Sequence, residues 1–126
     1  VAKVAGGLQT LEGAIGTLPT TYDDRPGAKA FVAAYRAAYG ADAVPSSESS
    51  LNYSSLHLLV NAMKLAGTVN DPTAIRAKLD QAAKELPDAV NPNDFNGVDA
   101  HGGAVQNTVI GVVEGGKIKG VRLNSL

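Results

Sequence analysis

The sequence predicts an α/β fold: three helices, a short strand ahead of them, and a C-terminal β-hairpin. Three observations carry that prediction. Apolar residues recur at spacings of three and four in three separate stretches, the helical period. Each stretch is closed by a breaker: Gly40, Gly67 or Pro87. Near the C-terminus, NTVIGVVEGGKIKGVRL (107–123) is a β-branched run and an alternating run separated by two glycines, the pattern of a hairpin.

The elements follow in order. VAKVAGGLQTLE (1–12) predicts a short helix weakened by Gly6 and Gly7. GAIGTLP (13–19) reads as a strand, with Ile15 and Leu18 apolar, Thr17 favouring β structure and Pro19 ending the ladder. TTYDDRPG is a polar turn. From Gly27 to Tyr39, Ala28, Phe31, Val32, Tyr35, Ala38 and Tyr39 form one apolar stripe. Leu51, Ser55, Leu58, Leu59, Ala62, Met63 and Ala66 trace a second helix, more apolar all round and so expected to be deeply packed. The third opens on Asp71 as N-cap and Pro72 at the first helical position, carries Ile75, Leu79, Ala82, Ala83 and Leu86, and stops at Pro87. PDAVNPNDFNGVDAHGG (87–103) has no regular pattern and reads as a long loop, which in a compact domain points to function or to chain that it leans on. In the hairpin, Gly115-Gly116 supplies the tight turn.

Composition narrows the function. The chain has 126 residues, enough for one domain, and a formal net charge of −1 with no block of like charge. That argues against a nucleic-acid or membrane-surface partner, both of which need a basic patch. Without cysteine it has neither disulfides nor a thiolate metal site. No stretch approaches the ~20 apolar residues that span a bilayer. The first residue is Val1 rather than Met, which reads as a processed or trimmed start.

Four stretches carry a family resemblance. LEGAIGTLPTTYDD is similar to an "EG…T-P-Y" strand. GAKAFVAAYRAAYG is similar to an "F-x-x-x-Y-x-x-x-Y/F-G" helix. SSLNYSSLHLLVNAMKLAGTVNDPTAIRAKL is similar to a helix pair "Y-D-A…A-I-x-x-A-G…D-P-x-x-I-R-x-x-L". FNGVDAHGGAVQNTVIGVVEGGKI is similar to an "F-x-G…F-D-x-x-G" turn with its hairpin. In this order they resemble the C-terminal part of a type I periplasmic solute-binding protein, of the branched-chain amino-acid (Leu/Ile/Val) group that serves ABC transporters. Val98 replaces the family's usual Phe, and Asn52 and Ser54 flank Tyr53 where an acidic residue often follows the aromatic.

The resemblance implies a fragment of a two-lobed fold. Residues 1–18 would close one lobe and form the hinge strand, 19–104 would be the helical part of the other lobe, and 105–126 a hairpin returning to the first. Three amphipathic helices and three short strands agree with this, since the helices need a larger sheet to cover. Another chain or a missing segment would complete the fold, and the fragment alone would pair as a homodimer or swapped assembly. The implied function is non-enzymatic: binding a small amino acid or related carboxylate in the interlobe cleft, without a cofactor, and delivering it to an ABC permease. The implied location is the periplasm, or the outer face of a Gram-positive membrane by a tether. A ligand-sensing domain of a receptor or regulator with the same fold is the alternative.

Candidate site residues come from PSSESSLNYSSLHLL (45–59), where six serines and a glutamate crowd the start of the second helix. By the resemblance this segment approaches the cleft, which places Glu48, Ser49 and Ser50 at its wall. Helix N-termini favour carboxylates through free N–H groups and the helix dipole. Glu48 would meet an ammonium group or repel an acid. The competing reading is structural, with Ser50 as the N-cap and the other serines coating a loop. The family's principal acidic clamp for an amino group is implied to precede Val1, so Glu48 does not inherit it.

The remaining motifs read as structure. His57 follows Ser54 by three residues, but a small hydrolase also needs an orienting group and an oxyanion site. No G-x-S-x-G elbow is present. His101 lies in a Gly-flanked turn, and the two histidines lack metal-ligand spacing. Tyr22, Asp23 and Asp24 read as a turn past the hinge strand, and Asn52-Tyr53-Ser54 as a chance glycosylation pattern.

Overall fold

Residues 6–18 and 20–122 are described by the computed structural model, so the expectations for residues 1–5, Pro19 and Leu123 lie outside the described residues. The chain opens with a single 3-10 turn at Leu8–Leu11, directly after the glycine pair, where a longer helix was expected. Strand β1 (Ile15–Thr17) follows. A second 3-10 turn, Thr20–Tyr22, leads into α1 (Pro26–Tyr39) and α2 (Ser47–Ala66). Then come α3 (Pro72–Arg76), α4 (Leu79–Lys84), a 3-10 turn at Asp88–Val90, and strands β2 (Phe95–Val98), β3 (Ala104–Gln106), β4 (Val109–Glu114) and β5 (Lys117–Arg122).

The hairpin forms as its residues require. β4 and β5 pair antiparallel from Val109↔Arg122 to Glu114↔Lys117, leaving Gly115-Gly116 as the two-residue turn. Both glycines have positive φ, 59° and 71°, as a primed hairpin turn demands. β1 joins the other edge of β4, antiparallel, with Ile15 opposite Val112, and the sheet order is β1-β4-β5.

Two expectations about chain order change. The third helix is two helices: after α3, the Lys78 N–H reaches back only to Ile75, a tightened turn, and Lys78 sits at φ −103°. The bend leaves α3 against α2 and swings α4 onto both α2 and β2, so that Ile75, Ala82, Ala83 and Leu86 all reach one core. The long loop also carries structure. β2 and β3 form a bulged antiparallel pair. It is seeded by Asn91, whose side chain donates to the Phe95 carbonyl at 2.9 Å and accepts from the Phe95 N–H at 2.8 Å. This buried pair of hydrogen bonds satisfies backbone groups that a Gly/Pro/Asp-rich sequence does not advertise as a strand.

The core gathers Leu58 and Ala62 of α2 with Ile75, Ala82, Ala83, Leu86 and Phe95. The buried residues of α2 are Ser50, Ser54, Leu58 and Ala62; Leu58 and Ala62 belong to the expected stripe, as do Met63 and Ala66, which pack partly buried against the core, while Ser50 and Ser54 were not expected in it. Leu51 and Leu59 are both 41% exposed and Leu56 61%, so α2 is not packed all round within this chain. α3 and α4 cover one side of it, and among the described residues no element covers the Leu56 side. No helix among the described residues is long and apolar enough to cross a membrane.

Candidate functional site

The serine-rich stretch begins α2 four residues earlier than expected. Ser46, extended at φ −74° and ψ 166°, is the N-cap, and its hydroxyl accepts from the Ser49 N–H at 3.2 Å. The reading of Ser50 as N-cap is therefore corrected. Both serines are competent caps, but Ser46 follows Pro45, and four consecutive residues after it tolerate a first helical turn.

The three candidate residues have separate surroundings. Ser50 is fully buried. Its hydroxyl donates to the Ser47 carbonyl at 2.9 Å, and its oxygen lies 2.7 Å from the Thr20 hydroxyl. Glu48 is exposed, and hydrogen bonds from its own backbone N–H and from the Ser46 hydroxyl hold its carboxyl below the usual range. Ser49 is half-buried and lines a groove of about 610 Å³ between α1 and α2. Phe31, Tyr35 and Tyr39 of α1 and Tyr53 of α2 give it an aromatic wall, and alanines, Ala89 among them, complete the lining.

The groove exists because aromatic residues repeat every four positions on α1 and meet Tyr53 across the helix pair. Ring centroids are 5.2 Å apart for Phe31–Tyr53, 6.1 Å for Phe31–Tyr35 and 4.6 Å for Tyr35–Tyr39, all tilted. The three α1 aromatics were expected to lie in an inward stripe, but Tyr39 is 72% exposed. Their four-residue spacing was the available signal for a shared face. An open, mostly apolar trough beside a helix N-terminus suits a small molecule with an apolar body and a charged end.

One organising residue escaped the sequence. Arg25 donates from Nε to Asp23 at 3.2 Å, from Nη1 to Asp88, and from Nη2 to the carbonyls of Asn91 (3.1 Å) and Pro92 (2.9 Å). Asp94 is a further ion-pair partner at 3.5 Å. Asp23, read as part of a polar turn past the hinge strand, is 8% exposed. This hub ties the start of α1 to the 88–94 segment and so holds the groove's α1 and Ala89 walls together. Arginine's planar fork suits such multidentate bonding.

The histidines stand apart from such chemistry. The His57 ring meets that of Tyr53 in a tilted contact, centroids 4.7 Å apart, while the buried Ser54 hydroxyl donates to Asn93 Oδ1 at 3.0 Å. The His101 N–H donates to Asp99 Oδ1, which also accepts from Gly103, so Asp99 shapes this turn. Among the described residues no group of three or more His, Asp or Glu side chains is placed to hold a metal ion.

A protein-family model described as "Periplasmic binding protein" matches residues 2–117. The chain belongs to that family. Its fold is shared with a solved leucine-binding protein of Thermotoga maritima, at 22% identity and a TM-score of 0.62. The match covers 94% of this chain and 33% of that protein, so this periplasmic-binding-protein chain spans about a third of its relative's length. No curated protein sequence matches it at a significant level.

Proposed function

We propose that this chain is the C-terminal portion of the substrate-binding component of an ABC transporter. The whole protein binds a small amino acid or related carboxylate between two lobes and passes it to a permease, in the periplasm or, tethered, outside a Gram-positive membrane. Residues 1–18 close one lobe and supply a crossing strand, 19–104 belong to the other lobe, and 105–126 return to the first. The observation that carries the reading is the family match over residues 2–117. The start of α2 beside the aromatic groove supports it. Ser49 is the ligand contact favoured by its place on the groove wall, Glu48 flanks it at the helix start, and Ser50 supports it from beneath. That the relative is a leucine-binding protein favours a branched-chain or similar ligand.

The exposed Leu51, Leu56, Leu59 and Val60 of α2 fit a face that the rest of the polypeptide covers. In the segment alone the same face would drive a homodimer or swapped assembly. Calorimetry with leucine, isoleucine, valine and phenylalanine tests the reading. The complete polypeptide is expected to bind one or more, and the 126-residue segment none. A complete polypeptide that binds no amino acid or related carboxylate would overturn it.

A further inference from the structure

β1 ends where β4 begins, side by side at one end of the β1–β4–β5 sheet, and the two chains stay bonded to each other just past that end. The Leu18 N–H donates to the Val109 carbonyl at 2.9 Å. The Leu18 side chain then lies on the sheet over a paired notch, Gly111 opposite Gly120. A Cβ at Gly111 would stand 2.6 Å from Leu18 Cγ and from both its Cδ atoms, so the seat exists only because position 111 has no side chain. At Gly120 the Tyr22 carbonyl oxygen, 3.1 Å from where a Cβ would be, closes in from the same segment.

Two residues on, Thr20 reaches into the first turn of α2. Ser50 has one hydroxyl proton and gives it to the Ser47 carbonyl at 2.9 Å. At the 2.7 Å Thr20–Ser50 contact the Thr20 hydroxyl is therefore the donor. Ser50 is fully buried, so water does not replace Thr20 cheaply. The sheet notch thus seats Leu18, and Thr20, two residues on in sequence, bonds Ser50, the sequence neighbour of Ser49 on the groove wall.

We propose that Thr20, held by Leu18 in the Gly111–Gly120 notch, is a positioning residue that sets the first turn of α2 against the sheet and thereby tunes ligand binding at that turn. The role at ligand rests on the solute-binding reading above; the positioning of the turn does not. Thr20 acts through Ser50 and needs no contact with ligand.

The test uses the complete polypeptide with Thr20→Val, Thr20→Ser, Ser50→Ala and the double variant Thr20→Val/Ser50→Ala. Amide hydrogen exchange is read at residues 47–51 and in α4, and leucine affinity is read by calorimetry. Thr20→Val is expected to speed exchange at 47–51 roughly tenfold, the scale of one lost buried hydrogen bond, and to weaken leucine by a similar factor. Exchange in α4 stays unchanged, and Thr20→Ser restores both readouts. In the Ser50→Ala background the further effect of Thr20→Val disappears. Gly111→Ala, which unseats Leu18 and so displaces Thr20 without removing its hydroxyl, is expected to reproduce the faster exchange at 47–51. Unchanged exchange at 47–51 in Thr20→Val, an equal effect with and without Ser50, or altered exchange with unaltered leucine affinity overturns the proposal. Altered exchange in a protein whose wild type binds no amino acid leaves the positioning of α2 standing and removes the solute-binding reading instead.

Discussion

The Asp88 carboxylate caps α1 from 61 residues away: Asp88 Oδ2 accepts from the Gly27 N–H at 2.7 Å. The backbone closes in as well, since a Cβ on Gly27 would lie 1.9 Å from the Asp88 carbonyl oxygen. Arg25, at the N-cap position of α1, makes no side-chain cap, so the helix takes its anion from another part of the chain.

Gly27→Ala is therefore expected to destabilise the protein by about 1–3 kcal/mol, the usual range for overpacking where backbone must move. Chemical denaturation measures it. Stability equal to wild type would mean that the 88–90 turn yields freely.

Arg25→Met keeps much of the side-chain length and removes all of the side chain's hydrogen bonds. The Asp23 carboxylate, only 4% exposed, then loses the guanidinium as its ion-pair partner while keeping the backbone N–H of residue 25, and the Asn91 and Pro92 carbonyls lose their Nη2 donor. The expected cost is about 3 kcal/mol, in the range for breaking a largely buried ion pair from one side. Arg25→Lys should recover only part of it, because an ammonium cannot bond to carboxylates and carbonyls in the same plane. Urea midpoints for the two variants check the order.

Acid lowers stability through identifiable carboxylates. Asp80 is held below its ordinary pKa by hydrogen bonds from Lys84 and from the Val98 N–H, and Glu48 by its own N–H and Ser46. A depressed folded-state pKa contributes stability that is present above the unfolded value and lost as pH falls through the folded one. The melting temperature should therefore drop below about pH 4, and Asp80→Asn should flatten part of that slope. Both groups are solvent-exposed, so added salt shrinks the effect. Thermal melts from pH 6 downward, at two salt concentrations, read it.

The groove makes a separate prediction about ligand. Tyr53 contributes ring surface that packs on Phe31 and faces the trough. In the complete polypeptide Tyr53→Ala should weaken amino-acid binding roughly tenfold or more, while Tyr53→Phe should change it little, because the ring supplies the apolar area. Calorimetry decides. Equal affinity in Tyr53→Ala would place the ligand elsewhere.

The outer face of α2 behaves differently in the segment and in the whole protein. The 126-residue segment should bind an apolar dye and self-associate, and Leu56→Lys with Leu59→Lys should abolish both. The same pair in the complete polypeptide should destabilise it, as lysines forced under a covering layer would. Light scattering and dye fluorescence distinguish these cases.

Much of the architecture was written in local chemistry. Asp71 and Pro72 start α3 as read, with Asp71 Oδ1 accepting from Thr73 and Ala74 at 3.0 Å. Gly40 and Gly67 end α1 and α2, and Gly115-Gly116 turns the hairpin. Each of these signals works within about one turn of chain, so neighbouring residues suffice to specify it.

What escaped the reading depends on residues far apart in sequence. Ser50 was read as the cap of α2, and its burial against Thr20, 30 residues away, goes with the earlier start at Ser46. The β2–β3 pair needs Asn91 buried against Phe95, and the Arg25 hub reaches Pro92 across 67 residues. The split of the third helix follows from two different packing partners, α2 and β2. Periodicity could say that α2 is apolar on more than one side, but which side meets α3 and α4 and which stays open is set by how the helices pack. A side chain's burial depends on what lies across from it, and that neighbour is chosen by the folded chain as a whole.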